Sequence, residues 1–107
     1  MPALGCQGLW LYYTTLNAPG AGSGHSQGTF TDGINSQGDI VGYITNSKGV
    51  YHGFLLHQGR YTTIDDPRAG SRSRQGTQAF GINPQGDIVG TYTDNKVVSH
   101  GFLLHRG

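Results

Sequence analysis

The chain has 107 residues, of which 19 are glycine and 35% are hydrophobic, so it holds one domain at most and little large apolar volume for a closed core. A formal charge of +1 with no basic run leaves no footprint for nucleic acid, and no apolar stretch approaches the roughly 18 residues that a membrane helix needs. A single cysteine, Cys6, excludes an intrachain disulfide and a cysteine-based zinc cluster.

The first residues, Met1-Pro2-Ala3-Leu4-Gly5-Cys6, carry no basic stretch and no long apolar run, so they do not read as a signal peptide. Residues 9 to 16, rich in aromatic and β-branched types, predict a strand. Residues 17 to 28 are a turn-forming tract with too much glycine for an element and predict a long loop. A strand follows over 29 to 35. Asn35-Ser36-Gln37-Gly38 then closes a hairpin into a return strand over 39 to 45. A turn at 46 to 49 leads to a strand over 51 to 56, and His57-Gln58-Gly59 reverses the chain into a strand over 61 to 64. After a second loop, 65 to 76, the cycle restarts.

It restarts because the sequence repeats. Gly33-Ile34-Asn35-Ser36-Gln37-Gly38-Asp39-Ile40-Val41-Gly42 returns 48 residues later as Gly81-Ile82-Asn83-Pro84-Gln85-Gly86-Asp87-Ile88-Val89-Gly90, and residues 5 to 52 match 53 to 100 at 24 of 48 positions without a gap. A period of this size marks a propeller, solenoid or array. Four short strands in up-and-down order, with nothing helical between them, make the unit of a β-propeller, and the period is long for a β-solenoid coil. Runs such as Phe54-Leu55-Leu56 and Ile88-Val89 are apolar on both faces, as in a sheet sandwiched between neighbours, and Ile34 and Ile82 in the shared motif are expected to be buried.

The pattern Gly-Ile-Asn-x-x-Gly-Asp-Ile-Val-Gly, followed by His52-Gly53-Phe54 and His100-Gly101-Phe102, resembles the HAF repeat of multicopy bacterial proteins. That resemblance implies an extracellular setting and a repeat architecture, with no catalytic residues to carry over. This chain departs from the family in having only two full copies.

Two such blades do not close a ring. Residues 29 to 76 supply one complete blade, whereas 77 to 107 supply three strands and lack the outer one, whose counterpart is the strand at 9 to 16. The expected arrangement is a homo-oligomer in which each chain lends its first strand to a neighbour's last blade. Three chains with six blades are favoured, a size that resembles small two-repeat propeller lectins, with two or four chains as alternatives.

Positions where the copies agree serve mainly the scaffold, so positions where they differ are the candidate sites. His52 with His100, and His57 with His105, are expected to make supporting hydrogen bonds, and Asp39 and Asp87 to accept from turn amides. Among the differing positions, Gly20, Gly24 and Ser26 answer Arg68, Arg72 and Arg74, His25 answers Ser73, and Asp32 answers Phe80. In a ring, Arg72 and Arg74 would form a positive collar for carboxylate, sulfate or phosphate. Trp10 stands as a sugar-stacking residue or as an anchor for the donated strand.

No nucleophile elbow, zinc-protease motif or phosphate loop is present, and with no glutamate a carboxylate pair would have to use aspartates. No cofactor or metal is expected. The first functional expectation is a binding module for a glycan or another polar or anionic ligand, multivalent through oligomerisation and held by Arg68, Arg72, Arg74 and Trp10. The alternatives are a hydrolase at the channel mouth, with His25 as base and Asp32 as orienter or metal ligand, and a structural repeat without a ligand.

Overall fold

The hairpins of this chain are set by one device used twice per repeat. An asparagine or aspartate at the start of the loop accepts hydrogen bonds from amides further along, so the side chain takes the place of a backbone partner. Asn35 Oδ1 accepts from the amides of Gln37 and Asp39 at 3.0 and 2.9 Å, and Asn83 Oδ1 accepts from the amide of Asp87 at 2.8 Å. The next turns use the same chemistry, with Asn46 Oδ1 accepting from Lys48 and Val50, and Asp94 Oδ1 from Lys96 and Val98. Gly38 and Gly86, at φ of 82° and 86°, take the left-handed position that closes the first loop of each repeat.

The computed structural model describes residues 10 to 105. Between these turns lie seven strands and, among the described residues, no helix: β1 (Gly28–Ile34), β2 (Ile40–Thr45), β3 (Tyr51–His57), β4 (Arg60–Ile64), β5 (Gly76–Ile82), β6 (Ile88–Thr93) and β7 (Ser99–Leu104). They form one curled, half-barrel-shaped sheet in the order β1-β2-β3-β5-β6-β7, with β4 paired to β3. Each repeat is an antiparallel meander. The two meanders meet at one parallel bridge, Tyr51 with Gly76, where the Tyr51 amide donates to the Gln75 carbonyl at 2.8 Å. A Cβ on Gly76 would collide with the Tyr51 backbone, so this contact requires glycine.

The registers of the two meanders are the same with 48 added. Val41 faces Leu55 in the first and Val89 faces Leu103 in the second. Even the irregularity repeats, since β1 shifts register between Thr31 and Gly33 and β5 between Ala79 and Gly81. Asp32 and Phe80 are therefore the extra residues of matched β-bulges, which re-aim side chains locally.

Apolar residues on both faces of the first meander are used. Val41, Leu55 and Ile64 pack with Ala79 and Ile88 of the second meander, joined by Ile82 and Phe102. On the opposite face, Ile44 and Phe54 pack with Ala18 from the preceding loop. Phe54 and Leu55 are adjacent in sequence, point to opposite faces and are both buried.

Residues 10 to 16, read as part of a strand lent to a neighbour, have no ladder partner within the chain, and Leu11, Tyr12 and Tyr13 are exposed. Residue 9 lies outside the described residues. Leu16 lines a crevice with Thr31, Ile34 and Ile40 at the β1 end of the strand order, opposite β7. One expectation is corrected. Ile34, expected in the core, is 66% exposed, because no sheet covers its face. Its counterpart Ile82 packs against the core. The radius of gyration, 16.0 Å, exceeds the roughly 13 Å of a compact 100-residue domain, as an uncovered arm and open sheet faces require.

Candidate functional site

The parallel bridge draws the second loop, 65 to 76, across the turn between β2 and β3, and Arg74 donates its amide to the Gly49 carbonyl at 2.9 Å. Arg74 has φ of 66°, a left-handed conformation that its repeat counterpart Ser26 shares at 62°. The crevice formed in this way is a pocket of about 510 Å³ lined by His25, Lys48, Tyr51, Ser73 and Arg74 together with Ser26 and Ser47. None of its lining residues is acidic. A lysine and an arginine beside several hydroxyls are groups that can donate hydrogen bonds to an anion.

Tyr51 connects this pocket to an aromatic cluster. Phe30 stacks on Tyr43 with ring centroids 4.9 Å apart, and Tyr51 and Phe80 each meet Tyr43 edge-on at 5.7 and 6.1 Å. Phe30 and Phe80 remain exposed, and of the four rings only Tyr51 lines the cationic pocket. Burial raises the pKa of the Tyr43 hydroxyl, and its side-chain hydrogen bond with Gln78 opposes that rise. Burial also pushes up the Asp32 carboxyl beside it.

Within one chain the three arginines of this loop lie in different surroundings. Arg72 lines a separate pocket of about 430 Å³ with Ser71, Gln75 and Asn95. Arg68 is turned back on its own loop: Nε and Nη2 donate to the two Asp66 oxygens at 3.0 and 2.9 Å, and its guanidinium lies 4.9 Å from the Tyr92 ring centroid. That pairing holds the Asp66 carboxyl below the usual carboxylate range. Trp10 sits half exposed on the N-terminal arm. His25 and Asp32, paired in the hydrolase expectation, line different pockets, since Asp32 opens onto one formed with Leu16, Thr31, Ile34 and Ile40.

The histidines at matched positions do bond to aspartates. His57 Nδ1 lies 2.5 Å from Asp39 Oδ1 and His105 Nδ1 lies 3.4 Å from Asp87 Oδ1, tying the end of each third strand to the hairpin beside it. His52 instead meets Asp65, and His100 meets Asp94, at 2.7 and 2.9 Å. No group of three or more potential metal ligands occurs among the described residues.

Lys48 and the aromatic cluster were not singled out in the sequence, although a signal for the rings was there. Phe30, Tyr43 and Tyr51 answer Gln78, Thr91 and Ser99, and Phe80 answers Asp32, so all four lie at positions where the repeats differ. Lys48 is matched by Lys96 and gave no such signal.

No protein-family model, curated protein or solved structure matches this chain.

Proposed function

We propose that the chain is a propeller-type binding module for an acidic glycan or a similar polar, anionic ligand, presented in several copies by a homo-oligomeric ring. The observation that carries this reading is an acid-free pocket that brings Lys48, Arg74 and His25 together with the ring of Tyr51. A sugar offers an apolar face that stacks on Tyr51, and a sulfate or carboxylate reaches the two cations. Three chains would present six repeats and multiply a weak single contact, by about 10²-fold or more when the ligand spans sites. The HAF-like sequence signature supports membership in that repeat family and an extracellular setting.

A glycan array read with full-length protein tests the reading. Sulfated or uronic glycans should bind and their neutral counterparts should not. Lys48→Ala with Arg74→Ala should weaken binding about tenfold or more, as expected for charge-assisted hydrogen bonds, and added salt should weaken the wild type in the same direction. Binding that ignores charge, salt and both substitutions would overturn the assignment of this pocket.

A further inference from the structure

Among the described residues, β7 pairs on one side only, with β6. In the first repeat β3 pairs with β4 on its outer side, whereas β7, the counterpart of β3, is the terminal strand of the sheet. An unpaired edge presents a row of amide and carbonyl groups ready for another strand. Beside it runs a cleft of about 780 Å³, between β7 on one side and β4 with the loop after it on the other, floored by Leu55, Ile64, Ile88 and Phe102.

We infer that this cleft is filled by residues 12 to 16 of a second copy of the chain, which adds a strand to β7 in one defined register. The occupant is identified by the repeat. Tyr13-Thr14-Thr15 is the same tripeptide as Tyr61-Thr62-Thr63 of β4, at the same 48-residue offset. The loops that follow dock alike, for the Ala18 amide donates to Thr29 Oγ1 at 3.1 Å as the Asp66 amide donates to Thr77 Oγ1 at 2.9 Å. The arm therefore stands to the first repeat as β4 stands to the second, as the outer strand of the repeat before it.

The chain's own β7 is not that preceding repeat. Ala18 packs on the face of β2 and β3 that carries Ile44 and Phe54, while the second repeat packs on the face that carries Val41 and Leu55. Leu16 of the arm lies against Thr31, Ile34 and Ile40 at the β1 end of the strand order, and β7 is the other end, so the strand comes from another molecule.

The register transfers directly. β3 and β4 pair Phe54 with Thr63, Leu55 with Thr62 and Leu56 with Tyr61, so Phe102 faces the second copy's Thr15, Leu103 its Thr14, and Leu104 its Tyr13. The bridge transfers too. As Tyr51 donates to Gln75 and Arg74 to Gly49, Ser99 donates to the second copy's Gln27 carbonyl, and the second copy's Ser26 donates to the Val97 carbonyl. Exposed apolar residues at the two ends of the molecule then complete each other. Leu55 is 8% exposed and its counterpart Leu103 is 56% exposed, and the second copy's Ile34 and Ile40 supply for Leu103 and Val89 what Ile82 and Ile88 supply for Leu55 and Val41. The contact is head-to-tail, and so closes a ring or continues as a filament.

Multivalency in the proposed function rests on this assembly, but the assembly needs no ligand and the pocket lies within one chain, so a failure of assembly and a failure of ligand binding are distinguishable. The test uses two full-length chains, both carrying Cys6→Ser, one with Thr14→Cys and the other with Leu103→Cys. Directly opposed antiparallel residues have Cα atoms about 4.5 to 5.5 Å apart, within the range for a disulfide. After joint refolding and mild oxidation, the mixture should give a disulfide between the two chains, and Thr15→Cys in place of Thr14→Cys should give at least tenfold less, because that side chain points to the other face. Native mass spectrometry of the wild type should show an oligomer, and deletion of residues 1 to 16 should dissolve it. A monomeric wild type at micromolar concentration would overturn the inference, as would equal cross-linking at residues 14 and 15. A chain carrying both Thr14→Cys and Leu103→Cys that closes only on itself would overturn it equally.

Discussion

Val41 and Val89 occupy the same place in the two repeats and face matched leucines, yet Val41 is fully buried and Val89 is 49% exposed. The difference is the sheet in front of each: Val41 is covered by Ala79 and Ile88, and no part of the described chain covers Val89 in this way. Leu55 and Leu103 beside them differ likewise, and their response to truncation should differ. Leu55→Ala should cost about 2 to 5 kcal/mol at any protein concentration. Leu103→Ala should leave the dissociated chain nearly unchanged and lower the melting temperature only where copies assemble, so that its effect depends on concentration. Melts of both variants at two concentrations a hundredfold apart provide the measurement.

Gly28 and Gly76 extend the same comparison to the backbone, with φ of 134° and 126°. A Cβ at Gly76 meets the Tyr51 backbone, whereas one at Gly28 meets nothing within 4 Å inside the chain. Gly76→Ala should therefore break the bridge between repeats and cost more than the roughly 1 to 3 kcal/mol of left-handed strain alone. Gly28→Ala should carry only the strain within one chain but obstruct the contact with a neighbour's Ser99. Circular dichroism should show it folded, and sedimentation should show it shifted toward monomer.

Asn35 and Asn83 differ in how much they hold. Asn35 accepts from two amides and also donates to Asp39 Oδ2 and to the Asn83 carbonyl, 3.2 and 3.0 Å away, tying one hairpin to the other. Asn83 accepts from the Asp87 amide and donates to Asp87 Oδ2. At about 1 kcal/mol net per hydrogen bond, Asn35→Ala should destabilise about twice as much as Asn83→Ala. Urea titration of the two variants checks the ratio.

Asp94 and Asp66 both have carboxyls held below the usual carboxylate range. The hydrogen bond with His100, followed by the Val98 amide, lowers the Asp94 pKa to about 2, and Arg68 lowers that of Asp66. Each folded-state value lies below the unfolded one, so their contribution is present above pH 4 and is lost as pH falls from about 4 toward 2. The wild type should lose stability across that window, and Asp94→Asn should flatten the loss. Melting temperatures measured between pH 5 and pH 2 decide this, with a curve unchanged by Asp94→Asn as the contrary result.

Much of the fold was legible because its signals are local. Asn35, Gly38 and Asp39 specify a hairpin by chemistry that acts over five residues, and the alternation around Phe54 and Leu55 specifies two covered faces. The surroundings of the loop arginines were not legible in the same way. Arg74 and His25 do share a pocket, but Arg68 is claimed by Asp66 two residues away and Arg72 by a different crevice. Which arginine remains available to a ligand depends on how one loop folds over another.

The sequence by itself determined the 48-residue period, the all-β character and the positions of the strands from β1 to β7, since turn chemistry and side-chain alternation are properties of neighbouring residues. Only the tertiary structure decided which copy of each apolar residue is covered, and it placed Lys48 and Arg74 in one pocket. Burial depends on what stands in front of a sheet face, and two identical stretches of sequence at different ends of one chain have different neighbours.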